Sequence, residues 1–225
     1  MSLCLDIWEH TVVAPGRDLV LPDGCRDLIL VHTPGAAPRA FVSDLHDAPV
    51  QATGFAPGTR LTGHRLAPGT RIDTARLLAE IARAAGDPAA PLPLIAAYCR
   101  RDAGIVEAFA AIEAATATTA TELARRLALT PRTLQRLFAA NGLPAPGFWL
   151  RLARARRAAL RLRGDAPLAE IAADAGYADQ AHMTRAFRQW FAATPAQLRC
   201  DPYRLLLLAQ SGLAVPATGE QISTR

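Results

Sequence analysis

The chain has 225 residues, 51% of them hydrophobic, which suffices for one large or two small globular domains and excludes a largely disordered protein. Its formal net charge is +5, and every basic residue is Arg. Residues 120–200 carry thirteen Arg against five acidic residues, whereas acidic residues outnumber Arg in the rest of the chain. This segregation favours a polyanion-binding C-terminal domain joined to a second unit.

No apolar run approaches the roughly 18 residues of a membrane-spanning helix, since "LLLLA" at 205–209 is far too short. The N-terminus lacks the basic and apolar segments of a secretory signal. Four cysteines lie far apart, without a CxxC pair or the spacing of a disulfide framework: Cys4, Cys25, Cys99 and Cys200. We therefore expect a cytoplasmic protein with reduced thiols and no membrane contact.

The first 72 residues predict short strands separated by turns, and the clearest strand is "RDLILVH" at 26–32. The phrase APGTR occurs twice, at 56–60 and 67–71. Turns at such regular spacing suit a small meander or a partial barrel. The N-terminal part is therefore predicted to be a compact β-rich unit.

The pattern becomes helical after Ile72. The stretch "DTARLLAEIARAAG" predicts a helix with Thr74 as N-cap and Gly86 as its end. Residues 92–115 predict one or two more helices. The threonines and alanines at 116–120 predict a domain boundary, so that the N-terminal domain would occupy residues 1–115.

Two short helices are predicted next. The first begins with Thr119 and Glu122 in the register of a capping box. The second, "TPRTLQRLFAANG", has Thr130 as N-cap, Pro131 at its first position and Gly142 after its end. Both sets of end signals define a compact pair of helices joined by a short turn.

Three further helices complete the basic region. A longer one runs over 146–163 and stops at Gly164, with an apolar stripe on one side. "APLAEIAADAG" and "DQAHMTRAFRQWF" follow, the latter with Asp179 as N-cap. After the short apolar helix that begins the segment 201–225, we expect a loose tail beyond residue 212.

A pattern of apolar and small residues occurs twice in this region, at offsets of 48 and then 49 residues. The paired positions are Ala124 with Ala172, Ala128 with Gly176, Leu134 with Met183, Phe138 with Phe187, and Pro146 with Pro195. A small residue at the second position would let two helices cross closely at a short turn, as in a helix-turn-helix. The change of offset predicts that the second turn is one residue longer than the first.

The two copies read "ELARRLALTPRTLQRLFAANGLPAPGFW" and "AEIAADAGYADQAHMTRAFRQWFAATPAQLR". With them, residues 118–200 resemble the double helix-turn-helix DNA-binding domain of the AraC/XylS family of bacterial transcription regulators. The second copy departs from the family pattern at Ala178, Ala181 and Met183, which we expect to tune the target sequence. The resemblance implies sequence-specific binding to double-stranded DNA, with one recognition helix of each copy in the major groove.

Base-reading residues are predicted near the start of each recognition helix, where Arg suits guanine and Gln suits adenine. They are Arg132, Thr133, Gln135 and Arg136 in the first copy, and Gln180, His182, Thr184, Arg185 and Arg188 in the second. The alternative is that they cover the solvated face of a helical bundle. Catalysis by His182 is not expected, because no catalytic partner is evident nearby.

Phosphate contacts are predicted from one side of the long helix and from the N-cap of the first recognition helix. The candidates are Thr130, Arg151, Arg154 and Arg157, with Arg161 farther along the same side. Such contacts add affinity without sequence information. An ordinary solvated helix face explains the arginine row equally well.

The N-terminal stretches "PDGCRDLI" and "GHRLAPG" resemble a small sensor-like domain found in a subset of AraC-type regulators. The candidates for contacting an effector there are Asp23, Arg26, His64 and Arg65. A structural ion pair among the charged ones is the favoured alternative. Cys25 is predicted to be a buried core residue rather than a reactive thiol.

The histidines of this half lack the spacing of a metal site, so no metal and no cofactor are expected: His10, His32, His46 and His64.

The predicted fold class is α+β, with a small β-rich N-terminal domain followed by helices and then an all-α domain of two helix-turn-helix motifs joined by a long helix. The predicted function is a non-enzymatic, DNA-binding transcription regulator. The rival is an enzyme or ligand sensor whose C-terminal helices serve protein contacts. RNA polymerase, a small-molecule effector and a second copy of the chain are candidate partners.

Overall fold

The computed structural model describes residues 3–14, 18–84 and 86–215. Most strands precede the helices, which confirms the α+β class. The strands are β1 Cys4–Thr11, β2 Asp18–Val20, β3 Arg26–His32, β4 Arg39–Val42, β5 Val50–Ala52, β6 Arg60–Leu66, β7 Arg71–Ile72 and β8 Cys99–Arg100. The helices are α1 Thr74–Arg83, α2 Pro91–Tyr98, α3 Ala103–Glu113, α4 Ala120–Arg126, α5 Pro131–Ala140, α6 Pro146–Arg161, α7 Leu168–Asp174, α8 Gln180–Phe191, α9 Pro195–Arg199 and α10 Pro202–Leu208.

The main sheet has four antiparallel strands in the order β1-β6-β3-β4, and β2 pairs with β5 in a second, two-stranded sheet. The predicted strand at 26–32 is confirmed as β3. The predicted meander is wrong, because β6 lies between β1 and β3. The two most buried strands take the central positions, where both edges find hydrogen-bonding partners away from water.

Both APGTR phrases form the same turn. The N–H of Thr59 donates to Ala56, and the N–H of Thr70 donates to Ala67, each at 3.1 Å. The glycines, Gly58 and Gly69, have φ of 82° and 80°, which a residue with a side chain rarely adopts. In each copy the final Arg is the first residue of a strand, so both phrases are turns that lead directly into a strand.

Helix ends follow the predicted caps with one exception. Asp73, not Thr74, is the N-cap of α1, and its carboxylate accepts from the N–H of Arg76. An Asp before the first turn is the better acceptor, so Thr74 becomes the first helical residue. The helix also ends before Gly86, with Ala84 as C-cap.

Helix α3 belongs to the core of the C-terminal helices. Phe109 is fully buried and contacts Phe138 of α5 and Trp149 of α6, with ring centroids 6.0 and 4.8 Å apart. Ile105 and Ile112 lie in the same hydrophobic cluster. This core therefore begins upstream of the predicted start at residue 118, because the stretch 116–120 is only a tight connection between α3 and α4.

Residues 210–215 form a buried segment, which we call the C-terminal clamp. Leu213 is fully buried and Val215 nearly so, and the N–H of Gly212 donates to Val215 at 3.1 Å. The expectation of a loose tail is therefore wrong for residues 212–215, and for 216–225 it lies outside the described residues. Within the described ranges, no helix has both the length and the apolar character needed to cross a membrane.

Candidate nucleic-acid interface

Two helical units of the same design flank α6: α4 with α5, and α7 with α8. The repeated core positions are fully buried in both units, which confirms the internal repeat: Ala124, Leu134, Phe138, Ala172, Met183 and Phe187. The predicted N-caps are also confirmed, with a capping box at Thr119 and side-chain caps from Thr130 and Asp179. Each unit therefore presents the start of its second helix in a defined, capped conformation.

The repeated small residue serves the turn and not the helix crossing. Ala128 and Gly176 have φ of 54° and 74°, the left-handed conformation that ends a helix. Both are exposed, and a Cβ added at Gly176 would meet nothing within 4 Å. The explanation from close helix packing is therefore wrong, because the requirement lies in the backbone.

Ala128→Gly is accordingly expected to stabilise the protein by about 0.5–1 kcal/mol. Glycine removes the steric strain of alanine in the left-handed conformation, and the larger conformational entropy that glycine loses on folding offsets part of that gain. Urea unfolding measures the change. The matched control is Ala139→Gly on the exposed side of α5, which should instead destabilise by about 0.5–1 kcal/mol. Equal losses in both variants would contradict the backbone explanation.

The second turn is one residue longer than the first, as the offsets predict. Between the left-handed residue and the N-cap stands only Leu129 in the first turn, and Tyr177 with Ala178 in the second. Tyr177 is 5% exposed, and the guanidinium of Arg154 lies over its ring at 4.5 Å. Tyr177 is the counterpart of Leu129, since their N–H groups donate to the equivalent carbonyls of Ala172 and Ala124. The added residue is therefore Ala178, which is exposed.

The outer face of α5 carries the predicted reading set of the first unit. Arg132, Thr133, Gln135 and Arg136 are all exposed. The Thr130 hydroxyl accepts from the N–H of Thr133 at 3.1 Å and lies 2.9 Å from the Thr133 hydroxyl. The three long side chains at 132, 135 and 136 thus project from a helix start whose cap is intact.

The predicted set on α8 divides into two groups. Gln180, Arg185 and Arg188 are exposed. His182 is half-buried, with its ring edge-on to Tyr177 at 5.2 Å and its Nδ1 3.4 Å from the N–H of Ala178. The Thr184 hydroxyl donates to the carbonyl of Gln180 at 2.8 Å. Two of the five side chains therefore also make local contacts at the helix start.

The arginines of α6 are not equivalent. Arg151 is exposed. Arg154 donates to the carbonyl of Gly176 at 3.1 Å, Arg157 donates to the carbonyl of Ile112 at 3.0 Å, and Arg161 pairs with Asp174 at 2.5 Å. Among the three phosphate candidates on this helix, Arg151 thus has the side chain most available to a polyanion.

Arg156 lies on the opposite, buried side of α6. It is fully buried and donates to the carbonyls of Leu213 at 2.9 Å and Gln210 at 2.8 Å, both in the C-terminal clamp. Burial lowers the pKa of this guanidinium, while nearby Asp23 opposes the shift. The sequence patterns did not single it out, although an Arg one turn after Leu152 on the apolar stripe is a usable signal.

In the N-terminal half, the predicted ion pair is confirmed between Asp23 and Arg65, whose charged atoms lie 3.2 Å apart. Arg65 also holds Asp27, which the sequence patterns missed, at 3.2 Å, and donates to the carbonyl of Ser211 at 2.9 Å. Burial alone would lower the pKa of Arg65, but the charges of Asp23 and Asp27 outweigh it and keep the side chain charged. The signal for Asp27 is an acid inside an otherwise apolar strand.

The other N-terminal candidates lie apart from this pair or are buried. Arg26 lies 3.4 Å from the carbonyl of Thr70 and contacts neither acid. His64 is buried, and burial lowers its pKa. Cys25 is buried as predicted, and the burial raises the pKa of its thiol well above the ordinary value. That shift disfavours a reactive thiolate.

Comparison with known proteins agrees with the repeat. A family model described as "Helix-turn-helix domain" matches residues 123–200. The curated regulator VirS of Mycobacterium tuberculosis, an HTH-type transcriptional regulator, is 39% identical over 77 residues, which are 34% of this chain and 23% of VirS. The present chain therefore aligns with less than a quarter of that relative's length.

Solved structures overlap more loosely. An AraC-type transcriptional regulator from Chromobacterium violaceum has 23% identity and a TM-score of 0.40, covering 48% of this chain and 95% of its own. Apo ToxT from Vibrio cholerae has 9% identity and a TM-score of 0.42, covering 90% and 96%. TM-scores of this size do not establish a shared arrangement, so the assignment depends on the sequence matches and the repeat.

The described fold contains a DNA-binding type of helical domain built from two helix-turn-helix units. The helix-turn-helix family model and VirS both match this region, which confirms the resemblance drawn from the two sequence copies.

Proposed function

We propose that the protein is a cytoplasmic transcription regulator that binds specific DNA sequences through α5 and α8, each in one of two adjacent major-groove segments. The observation that carries the proposal is the buried repeat: two units with the same core, the same left-handed turn and the same capped second helix. A helical bundle kept only for protein contacts has no need of this duplication.

The long helix supports reading of two successive grooves. Its 16 residues span about 24 Å at 1.5 Å per residue. Successive major grooves on one face of DNA lie about 34 Å apart. Bending of the duplex, at a cost of a few kcal/mol, would accommodate the difference.

Base reading is assigned to the nine predicted side chains, with the exposed ones as principal contacts. Arg suits the O6 and N7 of guanine, and Gln suits the N6 and N7 of adenine. Arg151 and the exposed Thr130 are assigned to phosphates. Arg154 and Arg157 already donate to the carbonyls of Gly176 and Ile112, so only their remaining N–H groups could bind phosphates.

Selection of random DNA by the purified protein, followed by titration at several salt concentrations, tests the proposal. We expect one enriched sequence with two half-sites about one helical turn apart. The logarithm of the binding constant should fall linearly with the logarithm of the salt concentration. Binding that is blind to sequence and insensitive to salt would favour the rival, in which these helices bind protein.

Arg185→Ala is expected to cost about 1–3 kcal/mol of DNA binding at one base position and to relax specificity there, because a bidentate contact to guanine is lost. The measurement is affinity for the selected sequence and its single-base variants. The control is Arg71→Ala, an exposed arginine outside the helical domain that should leave affinity unchanged. An equal loss on every sequence would instead assign Arg185 to a phosphate.

Control by a small molecule is part of the proposal, and RNA polymerase and a second copy of the chain are its candidate protein partners. The support is physical continuity between the two halves: Arg156 of α6 and Arg65 of β6 both donate to carbonyls of the C-terminal clamp. An event in the β-rich half can therefore reach the helix that links the two units.

A further inference from the structure

A cavity of about 410 Å³ lies in the β-rich half, between one face of the main sheet, the β2–β5 pair and α10. That volume is in the range of small-molecule sites, roughly 300–1,000 Å³. Leu207 of α10 and Gln210 of the C-terminal clamp line one wall. The carbonyl of Gln210 accepts from Arg156 of α6 at 2.8 Å. A molecule in the cavity would therefore touch a residue that is bonded to the helix between the two helix-turn-helix units.

The floor of the cavity is a row of four residues across the main sheet. Trp8 pairs with Gly63, which also pairs with Ile29. Ile29 in turn pairs with Phe41, and residues paired across antiparallel strands share a face of the sheet. The preceding residue of β3, Leu28, packs on the other face in the cluster that includes α1. The register of the sheet therefore determines which side chains face the cavity.

The lack of a side chain at Gly63 gives the Trp8 ring its place on this floor. A Cβ at Gly63 would lie 2.0 Å from the indole, so the ring occupies the space that any other residue would fill. The indole N–H donates to the carboxylate of Asp27 at 2.9 Å, which holds the ring there. Phe41 and Phe55, whose rings stack at 6.3 Å, continue the aromatic lining. Such a surface buries a large apolar area against a flat ligand.

Three charged side chains of the lining satisfy one another. Arg65 lies 3.2 Å from both Asp23 and Asp27, and it also donates to the carbonyl of Ser211 at 2.9 Å. Asp23 accepts in addition from the N–H of Cys25 at 2.8 Å. Asp27 accepts from the indole of the floor. These charges therefore belong to the structure of the cavity wall.

A charged ligand would have to disturb this network. A cation would compete with Arg65 for Asp23 and Asp27, and an anion would meet two carboxylates that share one guanidinium. Glu9 and Asp44 are exposed and alternate toward the other face of the sheet, so they offer no charge to the interior. Because an unpaired charge is far more costly to bury than a neutral group, the cavity favours a neutral ligand.

Other polar side chains of the lining suit an uncharged hydrogen-bonding group. His46 and Gln210 border the cavity. A neutral imidazole and a side-chain amide can each donate and accept a hydrogen bond, as a hydroxyl group can. The lining thus combines an aromatic floor with a few neutral polar contacts.

We infer that this cavity binds a neutral, flat and largely apolar molecule that carries an uncharged hydrogen-bonding group. As the effector site of a regulator, the inference rests on the proposed DNA-binding function. As a binding site, it stands on the cavity alone.

Isothermal titration of the full chain without DNA, at neutral pH, tests the inference with three probes of one skeleton. Naphthalenemethanol is neutral, naphthoate is an anion and naphthylmethylammonium is a cation, all substituted at the same ring position. We expect the alcohol to bind at least tenfold more tightly than either ion. Absence of binding by the alcohol, or an ion that binds within tenfold of it, would overturn the inference.

Variants then locate the site. Val50 and Ala52 of β5 line the cavity, whereas Gln51 between them is exposed and outside the lining. Ala52→Phe should therefore weaken binding of the alcohol about tenfold by filling the space, and Gln51→Phe is the matched control that should bind like the parent. Phe55→Ala should weaken binding about fivefold through lost apolar contact. Unchanged affinity in both cavity variants would place the ligand elsewhere and reject the site.

The two proposals fail separately. DNA selection without the ligand tests the regulator, and titration without DNA tests the cavity. Binding of the alcohol by a protein that ignores DNA sequence would remove only the regulatory role. Specific DNA binding without binding of the alcohol would remove only the ligand. With both present, a saturating neutral ligand should change affinity for the selected DNA by about fivefold or more, the size of typical coupling between two sites.

Discussion

Arg156→Met is expected to lower the free energy of unfolding by about 3–5 kcal/mol, because the carbonyls of Leu213 and Gln210 would remain buried without a donor. Each bond is short, at 2.9 and 2.8 Å, and the guanidinium is fully buried. Methionine keeps most of the apolar stem, so the change isolates the lost donors. Urea unfolding followed by circular dichroism measures it.

Arg151→Met is the matched control, since Arg151 lies on the same helix and is exposed. Its effect should stay within about 0.5 kcal/mol. If Arg156→Met cost no more than this control, the C-terminal clamp would not depend on the guanidinium, and the physical link between the two halves would lose its main support.

Arg65→Met is expected to cost a similar amount, about 3–5 kcal/mol, for a different reason. The variant would leave Asp23 and Asp27 close together and poorly solvated without their shared cation, and the carbonyl of Ser211 without its donor. Buried charges that lose their partner are among the most destabilising changes, because their desolvation is no longer offset. Thermal and urea unfolding both report the change.

Arg60→Met provides the control for this variant, because Arg60 begins the same strand and is exposed. We expect no more than about 0.5 kcal/mol there. Near-equal stability of the two variants would mean that solvent reaches Asp23 and Asp27, so that the acids need no cation.

The helical half could be predicted closely because its signals are local. Caps at Thr119, Thr130 and Asp179 are set by residues within three positions of each helix start, and each is found where the sequence indicates it. The repeat added long-range information, since two copies of a buried pattern define which faces meet. The reason for Gly176 was nevertheless misjudged, because spacing does not distinguish packing from backbone conformation.

The β-rich half could be predicted only in part, because strand order depends on contacts distant in sequence. The strand at 26–32 was found from its composition, but nothing local indicates that β6 pairs with both β1 and β3. Likewise, Asp27 and Arg65 are 38 residues apart, and Arg65 and Ser211 are 146 apart. Individual charged residues could be identified as candidates, while the network that joins them required the fold.

The cavity was beyond sequence reasoning for the same reason. Its lining runs from Trp8 to Gln210 and so draws on both ends of the described chain. The exposed DNA-reading residues, by contrast, lie within single helices and follow from helical periodicity. Local patterns thus suffice for a recognition helix, but not for a concave site assembled from separate segments.

The position of the C-terminal clamp in the chain has a consequence for synthesis. Arg65 and Arg156 are translated 146 and 54 residues before the carbonyls of Ser211 and Gln210 that they bind. Both arginines therefore lack these acceptors until residues 210–215 have left the ribosome. The β-rich half, although made first, is expected to mature last, and a ribosome stalled before residue 210 should carry a nascent chain in which that half is protease-sensitive.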